Sequence, residues 1–226
     1  KLESIKGQKV NLVELSVSHY LLARALDSVG LAEKDITVVN TSDADMVAAF
    51  AAPEVTAVTT WNPLLAEIDA MPDTTLVFDS SRIPGEIIDL LVVNSRTLED
   101  NPAFGKALTG AWYEIMAKMA AGDEEALLAM AKASGTDLAG FKAQLDSTRM
   151  FYAPAEAVAF AQGRALVETM KNVAAFSFDH GLLGEGAVDA GFIGVAFPGG
   201  VTAGNGDNVK LRFVDTYMKM AADGSL

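Results

Sequence analysis

Between Val10 and about Asp89 the chain alternates short β-rich runs with helical ones, and this alternation limits the possible folds more than any other feature. The runs "VNLVEL", "ITVVN", "VTAVTTW" and "TLVFD" are short, rich in β-branched residues and bounded by turn residues, as buried strands are. The intervening spacing predicts helices over residues 17–29, stopped by Gly30, over 44–51 and over 63–70. In the first of these, Tyr20, Leu21, Ala25 and Leu26 are expected to share the face that packs on a sheet. Ser42 followed by Asp45 reads as a capping box, and Asn62 before Pro63 as an N-cap with proline at the first helical position. Repeated strand-helix order predicts an α/β fold with a parallel or mixed sheet.

After Asp89 the pattern changes. One further strand is predicted in "IIDLLVVN", then helices over 101–121, 124–133, 138–146, 155–161 and 165–176, punctuated by Gly122, Gly135 and Pro154. Two late strands, "FIGVAF" and "VKLRF", and a short helix around 217–222 close the chain. With many helices and few strands, this half is incomplete as a freestanding α/β domain. A division into 1–88 and 89–226 follows.

Composition removes several classes of function. The formal net charge is -13, so no basic stripe exists to displace counterions from nucleic acid or to hold an anionic membrane. There is no cysteine, which excludes thiol nucleophiles, thiolate metal sites and disulfides, and is compatible with an oxidising compartment. The longest apolar region, "MVAAFAAPEVTAVTTW", is broken by Pro53 and Glu54 and is too short to span a bilayer. No signal peptide is apparent at Lys1, and the chain is expected to start inside a longer parent protein.

Open α/β sheets bind ligands beyond the carboxyl ends of their strands, which directs attention to four turns. They hold Glu14, Ser16, Ser18 and His19; Asn40, Thr41 and Ser42; Thr60, Trp61 and Asn62; and Asp79, Ser80 and Ser81. Ser16 and Ser18 are explained by helix capping, and His19 by a partly buried, hydrogen-bonded ring. With two histidines in the chain and no acidic neighbour at ligand spacing, no metal site is expected. Glu14 asks for more: a carboxylate at the end of a buried strand must find a cation, shift its pKa or lie at a helix N-terminus. Trp61 is either core packing or a flat face for a cation or planar polar group. The stretch "FDSSRIPGEIIDLL" carries Asp79, Glu86 and Asp89 with Arg82 alone to offset them, either as a solvated loop or as an acidic crossover. In "FDHGLLGEG", Asp179 and His180 read as a helix-terminating turn and not as a catalytic dyad. The glycine-rich "FPGGVTAGNGDN" lacks the lysine and helix of a phosphate loop and reads as a surface loop joining two strands.

Taken in order, these features resemble the nitrate/sulfonate/taurine-type periplasmic binding proteins of ABC transporters. The resemblance is carried by Ser16 to His19, Val29 to Leu31, Ala49 to Phe50, Glu54 and Trp61 to Pro63, and it continues into "FDHGLLGEG". It implies a class II periplasmic binding protein-like, two-lobe architecture, with 1–88 as a complete ligand-binding lobe and 89–226 as a hinge strand plus part of the other. It further implies an extracytoplasmic solute-binding component of an ABC importer, without catalysis or cofactor, that meets a membrane permease. Exposed sheet edges add the expectation of a homodimer. The sequence is most similar to the branch associated with urea carboxylase and guanidine utilisation. That similarity and the carboxylate at Glu14 together point to guanidinium or a urea-like compound. The ligand-binding residues expected are Glu14, Ser16, Ser18, His19, Trp61, Asp79 and Glu86. The alternatives are a taurine, sulfonate or nitrate-like anion with Glu14 turned away; a thiamine-pyrimidine synthase-like enzyme, whose cysteine-rich motif is absent here; and a sensor or partner-binding module.

Overall fold

A computed structural model describes residues 1–226. Contacts divide the chain into two compact units, Lys1–Ile87 and Ile88–Leu226. The first unit is built around two parallel strands, β1 (Lys9–Leu12) and β2 (Thr37–Asn40), with Val10 opposite Val38 and Leu12 opposite Asn40. Helix α1 (Val17–Ser28) connects them, and α2 (Asp43–Phe50) and α3 (Leu64–Asp69) follow. Val10, Leu12, Leu22 and Leu26 form the core, with Ile5, Leu31, Ile36, Val38 and Ala57 packed against it. Of the predicted inward face of α1, Tyr20, Ala25 and Leu26 are buried, and Leu22 takes the place expected of Leu21, because the face also follows the spacing of His19, Leu22 and Leu26. Gly30, at φ 70°, ends the helix, and the Leu31 N–H returns to the Leu26 carbonyl at 3.0 Å.

Several predicted elements are altered. "VTAVTTW" reduces to one parallel bridge, Val58 to Asn11, and "TLVFD" and "IIDLLVVN" form no strand. Both of the latter have strand composition, but a strand requires a partner backbone, and none lies alongside them. Leu76, Val77, Leu90, Leu91 and Val92 are exposed as a result. Ser42 Oγ donates to Asp45 Oδ2 at 2.6 Å without capping the backbone, so the two side chains satisfy one another in place of a capping box. Helix α3 begins at Leu64, with Pro63 in the flanking position that was expected of Asn62.

The second unit contains α4 (Ser95–Asp100), α5 (Pro102–Ala120), α6 (Glu124–Ala133), α7 (Leu138–Asp146), α8 (Pro154–Ala161) and α9 (Arg164–Asp179). Three strands follow, β3 (Gly194–Phe197), β4 (Val201–Ala203) and β5 (Val209–Arg212), and then α10 (Thr216–Asp223). Side-chain caps from Asn94, Asn101, Asp123 and Asp137 start α4 to α7; α5, α6 and α7 are legible in sequence for that reason, whereas the short α4 was not predicted. Met116, Met119 and Leu127 join α5 to α6, while Leu166 lies with Val195, Phe197 and Ala203 to seat α9 on the sheet. The expected surface loop after β3 instead folds back as β4, antiparallel to β3, while β5 is parallel to it. Gly204 makes this fold-back possible: its φ is 73°, and a Cβ there would lie 2.1 Å from the Ile193 carbonyl oxygen. Asp179 ends α9 as a turn, with Gly181 at φ 72° and the Leu182 N–H on the Ser177 carbonyl at 2.7 Å. No helix is long and apolar enough to cross a membrane.

Candidate functional site

The carboxyl edge of the parallel strands in the first unit gathers three of the four predicted turns. Beyond β1, Leu15 adopts φ 61°, a left-handed conformation uncommon for a side chain of its size. Its N–H donates to His19 Nδ1 at 3.1 Å, and Ser16 caps α1 by accepting the Ser18 N–H at 3.1 Å while its hydroxyl donates to the Val13 carbonyl at 2.6 Å. The turn thus closes on the ring of His19, which is 2% exposed. Because Nδ1 accepts a backbone N–H, the neutral ring carries its proton on Nε2, and Nε2 lies 3.2 Å from the Glu33 carboxylate. Ser18 is buried as well.

Glu14 is exposed, just past the strand end and outside the core. The strand read from the sequence as "VNLVEL" is shorter than expected: β1 ends at Leu12, and the two residues between strand and turn let the chain rise to the surface. The Glu14 backbone N–H donates to Asn40 Oδ1 at 3.0 Å, which links the β1 turn to the end of β2. One level inward, Asn11 Nδ2 donates to Thr41 Oγ1 at 2.9 Å, and Thr41 Oγ1 donates to the Val39 carbonyl at 3.2 Å. The third run joins through the Thr59 N–H on the Asn11 carbonyl at 2.9 Å, which brings Thr60 and half-buried Trp61 to the same edge.

Asp79 and Glu86 are committed elsewhere. Asp79 caps a short 3-10 turn, accepting the Ser81 N–H at 2.9 Å and the Ser81 hydroxyl. Glu86 Oε2 accepts from Arg24 Nε at 2.7 Å and from the Tyr20 hydroxyl at 2.8 Å, and Oε1 accepts from Arg24 Nη2 at 3.1 Å. The hydrogen bonds from Arg24 hold the Glu86 carboxyl below the usual glutamate range, against the opposing effect of burial. Burial, reinforced by Glu86, pushes the Tyr20 hydroxyl well above its ordinary value. The acidic stretch is therefore offset by Arg24 from α1, 62 positions away in sequence, as well as by Arg82. Asn11, Thr41 and Arg24 contribute most to this architecture without having been singled out as such from the sequence. Asn11 could have been noticed as the one polar residue between two fully buried strand positions, Val10 and Leu12.

A family profile described as "NMT1/THI5 like" matches residues 1–148. No curated protein matches the sequence. Among solved structures, the alkanesulfonate-binding protein SsuA from Xanthomonas axonopodis pv. citri bound to MOPS is similar with a TM-score of 0.62 at 18% identity, over 82% of this chain and 62% of that one. The periplasmic aliphatic sulphonate binding protein SsuA from Escherichia coli is similar with a TM-score of 0.66 at 21% identity, over 82% of this chain and 61% of that one. At these identities the likeness is one of fold, an α/β fold shared with two binding proteins. The chain spans about three-fifths of the length of either structure.

Proposed function

We propose, from the premise that the chain belongs to the NMT1/THI5-like family and has a periplasmic binding protein fold, that it is the solute-binding component of an ABC importer. The observation that carries this reading is the convergence of three turns at the carboxyl edge of the parallel run in Lys1–Ile87, where α/β sheets receive ligands. We take that unit as the ligand-binding lobe and Ile88–Leu226 as part of a second lobe. The binding function needs a membrane permease as partner and an extracytoplasmic location. The two similar structures are binding proteins by name, which supports a role without catalysis.

For the solute, Glu14 supports a small planar cation or multi-donor compound, with guanidinium or a urea-like molecule first. Its exposed carboxylate stands at the turn with no cationic side chain bonded to it, and it can accept two parallel hydrogen bonds from a guanidinium. Trp61 on the same edge offers a face for the planar group. Asp79 and Glu86 lend this reading no charge, since their oxygens are already engaged. A sulfonate is the second reading. It is favoured by the start of α1, where Ser16 takes the Ser18 N–H and leaves that of Val17, and by the names of the two similar proteins.

Isothermal titration with guanidinium, urea, taurine and ethanesulfonate, each against the wild type and Glu14→Gln, tests both readings. Guanidinium binding that weakens roughly tenfold or more in Glu14→Gln is the expected result, the loss of one charge-assisted pair. Sulfonate binding that is unchanged or tightened by the substitution replaces the first solute reading with the second.

A further inference from the structure

We infer that the Thr60 hydroxyl is a solute-contacting group of this edge, an inference that rests on the solute-binding reading above. Three backbones end level here. Val58 pairs with Asn11 and Asn11 with Val39, so Thr60, Val13 and Thr41 each stand two residues beyond the paired position of their own run. Thr60 is 9% exposed, and its Oγ1 is fully shielded with no hydrogen-bond partner. Two other hydroxyls of this edge, those of Thr41 and Ser16, each both donate and accept.

A buried hydroxyl without a partner is a net loss to the fold, because it has surrendered its water and gained nothing in return. A valine at this position would have nearly the same shape without that loss. The hydroxyl is therefore best explained by an interaction that the protein's own groups do not supply. A step about χ1 between staggered wells re-aims the hydroxyl without moving the backbone. A hydroxyl both donates and accepts, so it serves a guanidinium as acceptor and a sulfonate as donor. Glu14 discriminates by charge, whereas Thr60 contributes to either solute.

The test compares the wild type with Thr60→Val and Thr60→Ser, measuring thermal unfolding without solute and isothermal titration with guanidinium, urea, taurine and ethanesulfonate. The expected result for Thr60→Val is a melting temperature at or above that of the wild type and roughly tenfold weaker affinity for whichever probe the wild type binds. Thr60→Ser, which keeps the hydroxyl, is expected to retain affinity. Equal affinity of wild type and Thr60→Val overturns the inference alone. A lowered melting temperature in Thr60→Val overturns it too, since the hydroxyl would then have a structural partner. A wild type that binds none of the probes overturns the solute-binding reading, and the inference with it.

Discussion

The ion pair between Arg24 and Glu86 is the most consequential polar contact in the first unit, and its contribution can be worked out from the geometry. Glu86 receives three hydrogen bonds, two of them from one guanidinium and all between 2.7 and 3.1 Å, with side-chain exposures of 16% for Glu86 and 31% for Arg24. A charge-assisted hydrogen bond in such a half-buried setting contributes about 1.5–3 kcal/mol by truncation. Arg24 Nη1 also lies 3.1 Å from Asp27, so removing the Glu86 charge does not strand the guanidinium. The lower part of the range therefore applies, and Glu86→Gln should cost about 1.5 kcal/mol, or about 3–6 °C in melting temperature for a chain of this size. The appropriate assay is a double-mutant cycle of Arg24→Met and Glu86→Gln by urea unfolding, expected to give a coupling of about 1 kcal/mol or more. Acid sharpens the test. Because the folded-state pKa of Glu86 is depressed, its contribution is complete above the ordinary glutamate value of 4.5 and fades as pH falls below it. The stability difference between wild type and Glu86→Gln should shrink over that acid range and stay level above it. A coupling below about 0.3 kcal/mol, or a difference that grows on acidification, would refute the argument.

Two further outcomes follow from local geometry. In its neutral form the His19 ring should show the Nε2-protonated tautomer in its ¹⁵N chemical shifts, because Nδ1 accepts the Leu15 N–H; a neutral ring protonated on Nδ1 would break this account of the turn. Gly204→Ala should lower stability by about 2 kcal/mol or more in chemical denaturation, since both φ and the Ile193 carbonyl oppose a Cβ there, and a change under about 0.5 kcal/mol would show that the β3–β4 fold-back accommodates it.

What could be read from the sequence divides along the range of the forces involved. Helix starts were legible where one side chain closes its own turn, as Ser16, Asn101, Asp123 and Asp137 do. Strands were legible only where a partner exists. The runs at 75–79 and 87–94 have the composition of strands, yet composition does not supply a neighbour. The fold-back of β4 was missed because its three residues, Val201 to Ala203, lie among glycines that conceal any alternation. At the candidate site, the turn from Glu14 to His19 was legible as a place of interest, and its internal bonding was not. The acidic stretch was misjudged because Arg24 lies on a helix 62 residues earlier, a distance that no local pattern spans. Thr60 was named only as part of a turn, since nothing in a sequence distinguishes a hydroxyl that finds a partner from one that does not.

The central claim is that solute binds at the carboxyl edge of the first unit. Backbone amide chemical-shift mapping of the chain during titration with guanidinium, urea, taurine and ethanesulfonate tests it most directly. The account predicts saturable shifts concentrated at Glu14 to His19, Asn40 to Ser42 and Thr59 to Asn62. Shifts concentrated instead in the open cavity of the second unit lined by Arg164, Val167, Phe197 and Val201 would contradict it, as would the absence of saturable shifts with any of the four.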